Sequence, residues 1–150
     1  MHSYNKRMED LGPLACHCSA TRQMSRYISK LYERHFAPSN ITTTQYGILN
    51  FLEQHREQGM GMNELAALLL TDRTTLLRAL KPLLQKELVI STAHPEERRR
   101  HVLSISAAGL AKIDQARPLW LAAQAEYEAL VGAQHARILR HDFLSITGAL

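Results

Sequence analysis

Two stretches of the 150-residue sequence carry side chains that can grip an anion with a defined shape. The first, Thr71-Asp72-Arg73-Thr74-Thr75-Leu76-Leu77-Arg78, gathers hydroxyls and guanidinium groups, with Lys81 close behind. The second, His94-Pro95-Glu96-Glu97-Arg98-Arg99-Arg100-His101, sets three consecutive cations after a Pro-Glu-Glu turn. A guanidinium forks onto a guanine edge or a phosphate through two parallel hydrogen bonds. A threonine donates to a phosphate or touches a thymine methyl. Charge is concentrated in the same region. Residues 71–100 hold seven Lys or Arg against four Asp or Glu, a net of +3 out of +4 for the whole chain. Such a local excess suits a polyanion partner, and it also suits a merely solvated basic surface; geometry decides between them.

Other candidate chemistry is sparser. Cys16-His17-Cys18 places two thiols two positions apart. Within a helix those positions face different sides, so chelation of one ion is disfavoured. Two cysteines make no disulfide framework and are expected as free thiols in a reducing compartment. Each is either a small buried apolar residue or, with a lowered pKa and access, a redox sensor. The eight histidines are scattered without an HExxH or CxxC spacing, and His135 and His141 are badly placed for a shared ion. No metal and no cofactor are therefore expected. A Gly-rich phosphate loop, a nucleophile elbow and a paired-carboxylate signature are all missing from the sequence, so an enzyme is not expected either.

The elements that must position these groups follow from periodicity and punctuation. Met24, Tyr27, Ile28 and Leu31 predict a helix over about 11–36, which Pro38-Ser39-Asn40 ends. Thr42 with Gln45 predicts a capping box at the head of a second helix, with Ile48, Leu49 and Leu52 on its buried face. Gly59-Met60-Gly61 ends that element. A short helix is expected over Met62–Leu69. Thr71 is then the expected N-cap of a helix whose stripe is Leu76, Leu80, Leu83 and Leu84, with Pro82 inside it. Leu88–Thr92 and Val102–Ser106 flank the arginine turn and predict a hairpin. Ser106 caps a long helix to about Val131 that contains Pro118, Gly132 interrupts it, and a last helix follows. No apolar run reaches the ~18 residues needed to span a bilayer, and the first ten residues are polar, so a cytoplasmic location is the default expectation.

Two short helices with a tight turn, the second polar and basic at its start, make a helix-turn-helix. A helix fits the major groove and its first turns reach base edges. Thr71, Arg73, Thr74, Thr75, Arg78 and Lys81 are the candidate contacts. The hairpin that follows is a wing, whose Arg98, Arg99 and Arg100 would reach a neighbouring minor groove or its phosphates. A protein–protein adaptor using the same face is the competing class.

At these residues the sequence resembles the MarR (multiple-antibiotic-resistance) family of winged-helix transcriptional regulators. "NELAALLLTDRTTLLRALKPLLQKELV" (63–89) and "HPEERRRHVLSISAAG" (94–109) carry the resemblance. It implies a mainly α fold with a small β-hairpin wing. Long terminal helices would dimerise, and one intertwined domain would comprise a tail and dimerisation helix (1–36), the winged helix-turn-helix (37–106) and C-terminal dimerisation helices (107–150). By resemblance Glu97 stands in the place of the family's wing aspartate and would brace Arg99. Ile105-Ser106 replaces Leu-Thr, and Gly109 matches. Glu87 stands where the family commonly has glycine; at positive φ it should cost about 1 kcal/mol. The family implies a homodimer whose recognition helices lie about 34–36 Å apart on a pseudo-palindromic duplex. It also implies repression relieved by a small aromatic acid or phenol, or by an oxidant. An aromatic acid needs a cation and a stacking surface, and His17, Arg22 and Tyr46 are the candidates for these. Cys16 and Cys18 are the candidates for oxidation.

Overall fold

The structure, a computed structural model, describes residues 11–150; the expected polar tail, 1–10, lies outside the described residues. After a 3-10 turn at Gly12–Ala15 come α1 (His17–Phe36), α2 (Thr43–Gln54), β1 (Met60–Gly61), α3 (Met62–Leu68) and α4 (Arg73–Gln85). Strands β2 (Val89–Ala93) and β3 (His101–Ile105) precede α5 (Ala107–Val131) and α6 (Ala133–Ile146). The sheet is antiparallel in the order β1-β3-β2.

The capping box of α2 forms as expected. Gln45 N–H donates to Thr42 Oγ1 at 3.2 Å, and Thr42 N–H donates to Gln45 Oε1 at 2.9 Å. The same glutamine amide donates to the Ala79 carbonyl at 3.2 Å. One buried polar side chain therefore both starts α2 and ties it to α4.

Helix α2 ends at Gln54, before the expected Gly59-Met60-Gly61, which does something else. Met60 and Gly61 form β1, opposite Leu103 and Val102 of β3. Two residues show no periodicity, so the strand was invisible to pattern reading. Gly59 has φ +66°, and a Cβ there would lie 2.5 Å from Val102 Cγ1 and 2.7 Å from the Leu103 carbonyl. Only glycine lets the chain pass this close.

A single apolar cluster joins Phe36 from α1, Leu49 and Leu52 from α2, and Leu76 and Leu80 from α4 to Ile113 from α5. The expected boundaries after residues 36 and 106 thus fall within one continuous core. Helix α4 runs through Pro82 unbroken, because Leu80 and Leu83 on either side are buried at 0% and 1% exposure.

Two turns of the helix-turn-helix place non-glycine residues in the left-handed region. After α3, Leu70 has φ 48°, with Thr71 N–H donating to Ala66 O at 3.0 Å. After α4, Glu87 has φ 55°, with Leu88 N–H donating to Leu83 O at 2.9 Å and Glu87 N–H to Leu84 O at 3.1 Å. Both are Schellman closures, which favour glycine at that position. Glu87→Gly is accordingly expected to raise the unfolding free energy by about 1 kcal/mol. Urea denaturation measures it, and a variant no more stable than the parent would contradict the strain.

Candidate nucleic-acid interface

Asp72, not Thr71, caps α4. Its carboxylate accepts from Thr75 N–H at 2.8 Å and from Thr75 Oγ1 at 2.7 Å. Thr71 instead sits half-buried in the preceding turn, its N–H bonded to α3. The cap also engages Thr75, whose exposed hydroxyl donates to Asp72 in this structure. The Thr75 hydroxyl, with the backbone N–H beside it, holds the Asp72 carboxyl below the usual carboxylate range. A depressed folded-state pKa means this cap stabilises above the unfolded pKa near 3.9 and fades as pH falls through the folded value.

Behind the cap the helix separates its faces. Leu76, Leu80 and Leu83 are closed in the core. Arg73, Thr74, Arg78 and Lys81 are exposed on the opposite side. Among the described residues none of these cations pairs with a carboxylate, and neither do Arg98, Arg99 and Arg100.

The wing is held by its ladder and by its own backbone. Val89 to Ala93 pair with Ile105 to His101. At the tip His94 N–H donates to Arg100 O at 2.7 Å, Arg100 N–H to Glu97 O at 2.9 Å, and Glu96 N–H to His94 Nδ1 at 3.2 Å. The brace expected from the Glu97 carboxylate to Arg99 is absent among the described residues, and it is the Glu97 carbonyl that shapes the turn. A hydrogen-bonded backbone turn presents the arginines without needing a side-chain strut.

Helix α4 and the wing tip face one another. Between them lies a concavity of about 560 Å³ lined by Arg73 and Leu77 from α4, Glu97, Arg99 and Arg100 from the wing, and Gly61. Arg100 passes beside Gly61, where a Cβ would sit 3.7 Å from its guanidinium. Leu77 and Gly61 were not expected at the site. Leu77 was legible as the leucine that breaks the Leu76-Leu80-Leu83 spacing; Gly61 left no such signal.

The expected effector trio does not assemble. Tyr46 is 5% exposed, its ring 5.0 Å from Phe36 and 6.5 Å from Trp120. His17 and Arg22 are exposed on α1, whose other end carries Phe36. At 1.5 Å of rise per residue they lie roughly 28 Å and 21 Å up the helix from it. Tyr46 packs in the core because its ring completes an aromatic stack. Aromatic rings and a cation do meet elsewhere. A cleft of about 270 Å³ between α1, α5 and α6 is lined by Ile28, Tyr32, Tyr127, Arg140 and Phe143, with Glu128 at its edge. The Tyr32 hydroxyl donates to Gln124 there.

Cys16 and Cys18 are both exposed on the protomer. Cys16 stands at the head of α1, and hydrogen bonds from the backbone and side chain of Ser19 lower its thiol below the ordinary value. No cluster of three or more His, Cys, Asp or Glu fit to hold a metal occurs among the described residues. None of their helices is long and apolar enough to cross a membrane.

Residues 39–100 match the sequence profile of the MarR family. The fold is similar to that of the M. tuberculosis transcriptional regulator MosR in complex with DNA, at 33% identity and TM-score 0.77, over 89% of this chain and 95% of that one. It is also similar to S. aureus MepR in a DNA complex, at 16% identity and TM-score 0.75, over 90% and 98%. CouR from Rhodococcus jostii RHA1 bound to p-coumaroyl-CoA matches at 19% identity and TM-score 0.70, over 84% and 87%. No curated protein sequence matches significantly.

Proposed function

Because the chain belongs to the MarR family, we propose that it binds double-stranded DNA as a homodimer and represses transcription until a small aromatic or phenolic ligand releases it. The observation that carries this reading is the concavity lined both by Arg73 at the start of α4 and by Arg99 and Arg100 of the wing. Arg73, Thr74, Arg78 and Lys81 meet the major groove, while Arg98, Arg99 and Arg100 meet the flanking minor groove or its phosphates. Dimerisation is supported by large apolar side chains left in solvent on the terminal helices, among them Tyr27, Leu121, Ile138 and Phe143, all about half exposed. The cleft with Tyr32, Tyr127 and Arg140 offers the stacking surface and cation that an aromatic carboxylate requires.

The test is a binding titration on the DNA upstream of the protein's own gene, with and without phenolic acids. With six to ten phosphates contacted, log K falls against log salt with a slope of about −5 to −9. An adaptor shows little affinity for any duplex. Arg78→Ala is expected to lose about 1–3 kcal/mol of discrimination between operator and scrambled duplex, through loss of a guanine fork. Unchanged operator preference would remove Arg78 from the reading.

A second reading, release by oxidation, is favoured by the exposed Cys16 thiol and its lowered pKa. Peroxide is then expected to weaken DNA binding at least ten-fold in the native protein and not in the Cys16→Ser, Cys18→Ser double variant, on the order of one RT ln 10 of coupling. Equal loss in both would rule the thiols out.

A further inference from the structure

Leu77 sits where a leucine has no structural reason to be. The stripe leucines of α4 are closed in the core, Leu76 at 1%, Leu80 at 0% and Leu83 at 1% exposure, while Leu77 is 45% exposed. A solitary exposed leucine is ordinary. Its address is what matters. Four residues after Arg73, it lies one turn further along the same face of the helix. With Arg73 and Arg99 it lines the concavity between α4 and the wing. It is thus an aliphatic side chain beside the unpaired Arg73 and Arg99, in a concavity that Met62, Leu84 and Leu103 also line, on the surface the proposed function assigns to the major groove. That groove presents hydrogen-bond donors and acceptors and one apolar group of any size, the thymine C5-methyl.

We propose that Leu77 is a specificity-determining residue whose terminal methyls pack on the C5-methyl of one thymine in each half-site, beside the base edge that Arg73 faces. The inference rests on the DNA-binding reading above and adds to it a base identity read without a hydrogen bond. Contact of methyl on methyl removes about one methylene's worth of apolar surface from water, which is about four-fold in affinity per half-site and about fifteen-fold when both half-sites lose it. The same contact makes the site sensitive to DNA methylation, because 5-methylcytosine presents its methyl group at the same place in the groove as thymine.

The test begins with a duplex selected from a randomised pool by the full-length protein. Each thymine is then replaced in turn by deoxyuridine, which removes the methyl and leaves base pairing intact. At one thymine per half-site the replacement is expected to weaken binding about four-fold. Leu77→Ala, exposed enough to fold normally, is expected to bind the thymine and uridine forms of that position equally. With cytosine placed there, the 5-methylated duplex is expected to bind the native protein about four-fold more tightly than the unmethylated one. Native binding indifferent to every thymine methyl overturns the proposal. So does a methyl dependence that persists unchanged in Leu77→Ala, which would give Leu77 only the role of supporting the stems of the wing arginines. A pool from which no duplex is selected overturns the DNA-binding reading itself, at a step that precedes the methyl scan.

Discussion

Gly109→Ala is expected to unfold some 4–8 °C below the native protein, although alanine is the better helix former. The residue lies in the first turn of α5, pressed against the root of the wing. A Cβ there would stand 2.2 Å from the Leu88 carbonyl oxygen and 2.7 Å from Ile105 Cγ1. The Leu88 oxygen is held in place, since it already accepts from Ser106 N–H at 3.1 Å, while the Ser106 hydroxyl donates to the neighbouring Glu87 carbonyl at 2.6 Å. Helix propensity favours alanine by about 1 kcal/mol. Overpacking against backbone costs about 3 kcal/mol. The clash wins by about 2 kcal/mol, and for a domain of this size each kcal/mol moves Tm by roughly 2–4 °C. Gly47→Ala is the control. It lies within α2 and an added Cβ meets nothing within 4 Å. That variant is expected to gain up to about 1 kcal/mol. Thermal unfolding of the pair decides the matter, and equal shifts would mean that the backbone at Leu88 yields to the added methyl without cost.

Arg99→Ala is expected to weaken binding to every duplex about thirty-fold near 0.15 M salt, without altering preference among sequences. The side chain is exposed at the wing tip and unpaired among the described residues, so its loss leaves the fold intact. A dimer carries two wings and so loses two phosphate contacts. Each contact contributes about 0.9 to the salt slope, so the slope flattens by about 2, and extrapolation from 1 M to 0.15 M gives the thirty-fold figure. The contrast with Arg78→Ala is diagnostic: there discrimination falls and the slope barely moves. An unaltered slope in Arg99→Ala would mean that the tip never meets the duplex.

Much of this architecture was legible because its signals are local. The Thr42–Gln45 box, the Ser106 cap and the leucine stripe of α4 each follow from side-chain chemistry within one or two turns, and each stands where expected. The basic tip and the polar helix start were also readable, since charge runs and turn residues need no tertiary knowledge. What escaped depends on partners distant in sequence. Strand β1 exists because Leu103 and Val102 arrive from forty residues away to pair with it. Tyr46 looked available for stacking on a ligand; only folding reveals that Phe36 and Trp120 already occupy its ring. Thr71 and Asp72 are both good capping residues one position apart, and only the geometry of the turn makes Asp72 the cap. Gly109 matches the family motif by type alone in the sequence; the 2.2 Å that would separate a Cβ from the Leu88 oxygen is its physical reason.

The small strand β1 has a mechanical consequence. It pairs β3 of the wing with the residues that lead into α3, so the wing and the helix-turn-helix are joined by backbone hydrogen bonds. Under the proposed reading of a symmetric pair, a signal arriving at the terminal helices then has little freedom to bend the wing away from its own helices. What it can change is the pitch between two stiff heads. Since a duplex repeats at a fixed interval, a few ångströms of added span is enough to put the second head out of phase with its half-site.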